Sequence, residues 1–194
     1  QHLTQASELP RHQQVDQHRG AEGSDVGEGE YEVSNLVISG APYTLPFRES
    51  FRKGNLDNSL WWVDTDDCFW PKSYNSADDI IGSADWTPKE KGTVASFNSG
   101  KISLKGAANP VLRFWHNGVP GLDYHLRLEV MTPDNKTVEL KDIDYSKLTG
   151  DRQWIEEVVD LGDYAAYDFI VLKFLGECND KELQRLSFDA VEIY

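Results

Sequence analysis

The sequence predicts an all-β protein, a β-sandwich of antiparallel strands, on two observations. In residues 122–131, LDYHLRLEVM, apolar side chains at every second position alternate with polar ones. Successive side chains of a strand point to opposite sides, so this period is typical of a strand with one buried face and one wet face. From Tyr43 onward, short apolar runs lie between turn residues at fairly regular intervals, as in all-β sandwiches and barrels. Helix is predicted only as single turns, near residues 145–149 and 164–167.

The N-terminal part of the chain divides into two predicted segments. Residues 1–30 are rich in Gln, Glu and Gly and contain no aromatic residue, so they can bury little apolar surface and are predicted to be a polar linker or tail. Residues 31–42 hold one apolar run, 31–38, which indicates a strand followed by a linker. A lone strand leaves its backbone edges unpaired, so we expect it to pair with the sandwich, with another chain or with an upstream domain. Residues 43–194 form the predicted main domain.

Ten strands are predicted in the main domain, where apolar runs lie between turn residues such as those of 98–100, 117–118 and 133–135. They are 43–51, 60–63, 93–97, 101–105, 110–116, 122–131, 136–141, 154–160, 168–175 and 185–194. In the last of them the apolar positions slip by one residue at Asp189 and Ala190. Such a slip predicts a β-bulge, which re-aims the Asp189 side chain.

Composition limits the classes of function. A chain of 194 residues suits one domain plus an extension. The formal net charge of −14 argues against a nucleic-acid partner, because phosphate binding needs clustered Lys and Arg. No apolar run approaches the ~20 residues of a membrane-spanning helix, and no intact signal peptide opens the sequence. The two cysteines, Cys68 and Cys178, leave a disulfide and two small buried thiols as alternatives.

Five segments of the main domain stand out: PFRESF (46–51), the Trp–acidic loop–Trp stretch 61–70, LRFWH (112–116) with LRL (126–128), the stretch 154–164, and LSFDAVEIY (186–194). In order and spacing they resemble the MAM domain and the bacterial cleaved-adhesin modules of the gingipain type. The run 34–40, SNLVISG, also resembles the last strand of a fibronectin type III domain, which often precedes adhesin modules in secreted proteins of Bacteroidetes.

The resemblance implies a two-sheet antiparallel jelly roll, extracellular or on the cell surface, that acts in adhesion or glycan contact. It also implies a structural calcium ion where the opening strand meets the closing strand, and Glu49 and Asp189 match that position. Calcium prefers six to eight oxygen ligands, which carboxylates from separate strands supply. A second ion is a candidate at the acidic loop, at Asp64 and Asp66. The alternative is that these are ordinary edge carboxylates.

Three tryptophans are candidate platforms for a sugar ring: Trp62, Trp70 and Trp86. Exposed aromatic planes stack on the apolar faces of sugars, and Trp86 is predicted to lie in a loop. The alternative is that all six tryptophans fill or rim the sandwich, where large aromatic side chains bury the most area. We expect Trp115 and Trp154 in the core.

No catalytic motif is present, so the protein is not predicted to be an enzyme. His116 and His125 lie on neighbouring predicted strands, but without a third ligand they are expected to be strand-face residues. The predicted function is a non-catalytic binding or adhesion module of a secreted or surface bacterial protein, which contacts glycan or extracellular protein through loops. The alternatives are a structural module that spaces or docks neighbouring domains through the 31–38 strand and, third, a glycan-active enzyme.

Overall fold

The computed structural model describes residues 41–52, 61–72, 76–77 and 82–194. The chain divides into two units, Gln1–Leu36 and Val37–Tyr194, and the described residues all belong to the second. The predictions of a polar tail at 1–30 and of a strand at 31–38 lie outside them. Within these ranges no residue is in an α-helix, and no helix is long and apolar enough to cross a bilayer.

The described part contains twelve strands and two short 3₁₀ helices. The strands are β1 (Phe47–Glu49), β2 (Trp61–Trp62), β3 (Asp67–Cys68), β4 (Trp70–Lys72), β5 (Ser83–Trp86), β6 (Val94–Ser99), β7 (Val111–Asn117), β8 (Tyr124–Met131), β9 (Thr137–Asp144), β10 (Ile155–Asp160), β11 (Val171–Cys178) and β12 (Leu186–Ile193), and the helices are Tyr145–Lys147 and Gly162–Tyr164.

The strands form two six-stranded sheets, which confirms the predicted β-sandwich. The first sheet has the order β10-β7-β12-β5-β4, with β1 paired to β12. The second has the order β2-β6-β11-β8-β9, with β3 paired to β6. The strand pairs are antiparallel, apart from the parallel pair β3–β6. Phe47 of β1 lies opposite Ile193 of β12, so the opening and closing strands are neighbours, as the resemblance implied.

Stacked aromatic rings join the two sheets. Phe174 of β11 and Phe188 of β12 lie with their ring centroids 4.1 Å apart and their planes 9° from parallel. Phe51 meets Phe188 at 5.5 Å, and Trp61 stacks on Phe97 at 4.9 Å. Each of these rings is buried. Large aromatic side chains bury the most area per residue, so this cluster contributes much of the apolar burial that stabilises the sandwich.

Two sequence features are confirmed in detail. The register between β12 and β7 shifts between Asp189 and Glu192, and Ala190 has a φ of 49°, so the closing strand contains the predicted bulge.

Both cysteines are free, Cys178 buried and Cys68 half-buried, so the thiol alternative holds and no disulfide links them. Partial burial, together with the neighbouring charge of Asp67, raises the pKa of the Cys68 thiol.

The predictions from the sequence placed several elements in the first half of the domain wrongly. Residues 101–105 do not form a strand; Ile102 alone makes isolated bridges, to Tyr43 and Ile170. Asn98 and Ser99 lie within β6 and not in a turn. Strands β3, β4 and β5 were not predicted. All four residues of β5 are buried, so both sides of this strand are covered and the alternation that marks a half-exposed strand is missing.

Candidate functional site

One line of side chains crosses the outer face of the second sheet. Trp61 points into the core, so Trp62, the next residue of β2, lies on the outer side. Adjacent strands are ~4.8 Å apart, so a line over five strands is about 19 Å long. The line, here called the cross-strand row, consists of directly paired residues on β2, β6, β11, β8 and β9: Trp62, Asn98, Lys173, Glu129 and Glu139.

Trp62 forms the aromatic end of the row. Its indole Nε1 donates a hydrogen bond to the carbonyl of Ser99 on the neighbouring strand, at 3.0 Å. The side chain is half-buried. This hydrogen bond holds the indole against β6, so the ring has a fixed orientation on the outer face.

Asn98, next in the row, is a buried polar residue. It is 1% exposed, and among the described residues neither its amide nitrogen nor its oxygen has a hydrogen-bond partner of normal geometry. A long hydrogen bond from its side chain to the Asp64 carboxyl helps to lower the pKa of that carboxyl.

An ion pair borders the row between β6 and β11. The ammonium of Lys173 lies 2.9 Å from Asp64 Oδ2, and the backbone N–H of Asp64 donates to Ser96 Oγ at 3.1 Å. Partial burial raises the pKa of the Asp64 carboxyl, but hydrogen bonds from Ser96 and Lys173 and the charge of Lys173 outweigh it and hold that pKa below its usual value. Asp64 therefore stays charged and fixes Lys173 over the sheet.

The far end of the row is acidic. Glu129 and Glu139 lie directly opposite each other on β8 and β9, an unfavourable arrangement for like charges. The nearest arginine, Arg127, lies 3.9 Å from Glu139 but makes its short contact with Glu177, at 2.9 Å. Within the described residues, Glu129 forms no ion pair.

The two histidines do not meet. His125 lies on the outer face of the second sheet, where its Nδ1 is 2.8 Å from Asp142. His116 is 1% exposed in the first sheet, with its Nδ1 2.6 Å from the Tyr145 hydroxyl. Both are strand residues, as expected, and among the described residues no group of three or more His, Cys, Asp or Glu is placed to hold a metal ion.

The other tryptophans divide into exposed and buried ones. Trp70, on the edge strand β4 of the first sheet, is 43% exposed. Trp86 is 2% exposed, and its Nε1 donates to Asp67 Oδ2 at 2.9 Å, so the prediction of Trp86 as a sugar platform in a loop is wrong. Trp115 and Trp154 are half-buried and not in the core, because the alternation of β7 directs Trp115 outward.

Glu49 and Asp189 lie on the paired strands β1 and β12. Glu49 accepts hydrogen bonds from the Phe51 N–H and from the Trp61 indole. Asp189, which is fully buried, accepts them from the N–H groups of Ala77 and Ala190. Each of the four carboxylate oxygens thus accepts a hydrogen bond from an N–H of the protein itself.

The acidic loop has a different role from the predicted one. The Asp64 carboxylate pairs with Lys173, which occupies it with a protein cation, and Asp66 is exposed. Asp67 accepts from Trp86. The Asp64 and Asp67 carboxylates attach the loop to the sandwich, and the residues present do not fit a calcium site at Asp64 and Asp66.

Sequence reasoning singled out Trp62 but missed the other four residues of the cross-strand row. The alternation in 122–131 does place Glu129 on the wet face, so the position of this one residue could be predicted from the sequence. The rest depends on the register of five strands that are distant in sequence, which no local pattern contains.

No protein-family model and no curated protein matches the sequence. Three solved structures have a similar fold. The K1 cleaved adhesin domain of Lys-gingipain from Porphyromonas gingivalis W83 is 16% identical with a TM-score of 0.55, over 76% of this chain and 96% of that one. TmCBM61 in complex with β-1,4-galactotriose is 12% identical with a TM-score of 0.54, over 75% and 93%. CBM27-1 of Caldicellulosiruptor saccharolyticus in complex with mannohexaose is 13% identical with a TM-score of 0.52, over 76% and 95%.

These likenesses concern the fold. Each covers about three quarters of the chain and nearly the whole of the compared domain, at sequence identities too low to transfer a ligand. The chain therefore has the fold of an adhesin-type jelly-roll domain, as its five sequence segments predicted.

Proposed function

We propose that the protein is a non-catalytic glycan-binding module and that the cross-strand row is its binding face. The observation that carries this proposal is the indole of Trp62, which its hydrogen bond to the Ser99 carbonyl holds in a fixed orientation on the outer face of the second sheet. Two solved structures of similar fold hold a saccharide, which supports the same class of ligand.

The residues of the row suit the surface of a sugar chain. A pyranose ring has apolar C–H faces that stack on an aromatic plane, and a rim of hydroxyls that both donate and accept hydrogen bonds. Trp62 provides the plane. The Lys173 ammonium donates, and the Glu129 carboxylate accepts. We expect several sugar rings to lie along the row, across the strands, because the row is about 19 Å long.

The test compares two tryptophans on opposite sheets. Trp62→Ala is expected to weaken polysaccharide binding at least tenfold, since an aromatic hot-spot contact contributes about 2 kcal/mol or more. Trp70→Ala is the matched control, because Trp70 is an exposed tryptophan on the first sheet. Affinity electrophoresis in polysaccharide gels, followed by calorimetry with oligosaccharides, measures both variants.

The opposite result would assign the binding site to the first sheet. Binding that is lost in Trp70→Ala and kept in Trp62→Ala would place the ligand at the edge of the first sheet, where Trp70 remains a candidate from the sequence. Binding that neither variant changes would contradict an aromatic platform on either sheet. Circular dichroism and a thermal melt check that each variant is folded.

We also propose an extracellular or cell-surface location in a bacterium, which follows from a polysaccharide ligand and agrees with the likeness to an adhesin domain. Extracellular protein is a second class of partner for the same face. The alternative role, docking to neighbouring domains through the 31–38 strand, concerns residues outside the described part of the chain.

A structural calcium ion between β1 and β12 is a further part of the proposal. Glu49 and Asp189 would hold it, together with backbone carbonyl oxygens. Backbone oxygens and carboxylates are the ligands that calcium prefers. When bound, the ion would attach the opening strand to the closing strand.

A further inference from the structure

We infer that Thr65 is a positioning residue of the binding face: its hydroxyl attaches the loop after Trp62 to β6 and so keeps the indole in its orientation. This loop consists of residues 63–66, between β2 and β3. The inference rests on the proposed function for the use of the indole, and it adds a residue that lies outside the cross-strand row.

Strand β2 by itself holds Trp62 at few points. The strand has two residues, and Trp62, the second of them, lies opposite Asn98 of β6. The chain leaves this ladder at Val63, which is exposed, and returns as β3, which runs parallel to β6. A two-residue ladder contains few hydrogen bonds and opens easily. The position of the indole therefore depends on what holds the loop that follows it.

The Thr65 hydroxyl holds that loop at both of its ends. It accepts a hydrogen bond from the backbone N–H of Ser96 at 3.0 Å, and it lies 3.0 Å from the Ser96 hydroxyl. It donates to the carbonyl of Asp67, at the start of β3. Ser96 is fully buried on β6, a strand with a neighbour on each side. The hydroxyl thus joins the loop to the interior of the second sheet.

Asp64 also anchors the loop, but it touches the row directly. Its backbone N–H donates to Ser96 Oγ at 3.1 Å, and its carboxylate pairs with Lys173 at 2.9 Å. Because Lys173 belongs to the row, a change at Asp64 would alter a side chain that contacts the ligand. The hydrogen bonds of Thr65 go to Ser96 and Asp67, which lie outside the row. A change at Thr65 therefore alters only the attachment of the loop.

An anchored indole binds a sugar ring without first having to be ordered. Ordering one free side chain on binding lowers the affinity about two- to tenfold. In Thr65→Val a methyl group replaces the hydroxyl, and the Ser96 N–H loses this acceptor. The indole is then expected to leave the Ser99 carbonyl more often, and polysaccharide binding through Trp62 is expected to weaken by this factor.

Hydrogen exchange of the indole protons measures the orientation without any glycan. The Nε1 proton of Trp62 is identified in NMR spectra as the signal that is missing from Trp62→Ala. In Thr65→Val it is expected to exchange at least about fivefold faster, the effect of about one lost hydrogen bond. The Nε1 proton of Trp61, which donates to Glu49 in the core, is the internal reference and is expected to be unchanged. Thr65→Ser keeps a hydroxyl and is expected to restore the wild-type rate.

Binding is measured by affinity electrophoresis in gels that contain β-1,4-galactan or mannan, the polymers of the oligosaccharides in two structures of similar fold. Thr65→Val is expected to be retarded less than the wild type, and Thr65→Ser as much. Thr93→Val is the matched control, because the Thr93 hydroxyl donates to the carbonyl of Glu90 in the loop before β6. It is expected to change neither the binding nor the exchange of the Trp62 indole.

Three results would overturn the inference. They are a wild-type exchange rate of Trp62 in Thr65→Val, faster exchange that appears equally at Trp61 or persists in Thr65→Ser, and binding through Trp62 that Thr65→Val leaves unchanged. The last result leaves the proposed function standing. If Thr65→Val speeds exchange at Trp62 alone but neither polymer binds through Trp62, Thr65 does position the indole and the proposed function is wrong.

Discussion

At the scale of single residues, His116 shows how burial sets a charge state. Its Nδ1 lies 2.6 Å from the Tyr145 hydroxyl, and its Nε2 lies 3.6 Å from Glu157, which pairs with Lys141. Burial lowers the pKa of His116 to about 4, although the negative charge of Glu157 acts in the opposite direction. His116 is therefore neutral at neutral pH.

The lowered pKa predicts a loss of stability in acid. In the unfolded chain His116 titrates near its ordinary value of ~6.5, so as the pH falls the unfolded state binds the proton first. The stability from the neutral histidine is complete above pH ~6.5 and is lost as the pH falls toward about 4, by up to about 3 kcal/mol. Urea unfolding at several pH values gives the free energy of unfolding of the wild type and of His116→Gln. The measurement compares how steeply this free energy changes with pH in the two proteins.

A histidine of the outer face is the control for this measurement. His125→Gln is expected to keep the pH dependence that His116 causes, because His125 is not in the core. If His116→Gln shows the same loss between pH ~6.5 and 4 as the wild type, other groups cause the loss.

At the scale of elements, β11 contains a glycine that makes room for two aromatic rings. A Cβ added at Gly176 would lie 2.7 Å from Trp86 Cε3 and 2.9 Å from Phe69 Cζ. Glycine inside a strand usually weakens it, and often marks a place where another group approaches closely. Here the approaching group is the Trp86 indole, which joins β5 of the first sheet to β11 of the second.

Gly176→Ala is therefore expected to destabilise the fold by about 1–3 kcal/mol, because the added methyl group overpacks the core. In a Trp86→Phe background the same change should be less costly, since the smaller ring leaves space. Chemical unfolding of the two single variants and the double variant measures this coupling. Strictly additive effects would show that the contact between these residues is not the cause.

The pairing of β1 with β12 is the element that calcium would stabilise. If Glu49 and Asp189 hold the ion, calcium at about 100 times its Kd adds ~2.7 kcal/mol to the free energy of unfolding. That raises the Tm by roughly 5–10 °C for a domain of this size. Thermal melts with calcium and with EDTA measure it.

Two variants show where such an ion binds. Glu49→Gln should remove the calcium response, whereas Asp66→Asn should keep it. The same Tm with and without calcium would contradict the calcium site. The N–H donors around the two carboxylates would then be the groups that hold them in place.

At the scale of the whole molecule, the sequence predicted the second half of the domain better than the first. Strands β7 to β12 were found because apolar side chains recur at every second residue where one face is wet. Strand β5 was missed because all its residues are buried. Likewise, Trp86 could not be told from Trp70 in the sequence, since its partner, Asp67, is supplied by the unpredicted strand β3.

The candidate site was predictable only in part, for a related reason. The sequence indicated an aromatic platform at Trp62 and a wet face on β8, but not that Asn98 and Lys173 connect the two. That connection is a matter of register across β6 and β11. Register follows from packing of the whole sandwich and so is a property of the folded molecule.

The cross-strand row takes one side chain from each of five strands, and this has a consequence for how such modules diversify. Replacing any one of these outward side chains leaves the backbone ladder and the aromatic core in place. Recognition can thus change by single substitutions, each tolerated on the same scaffold. Homologues with this strand register but other residues at the five positions would then be selective for different sugars.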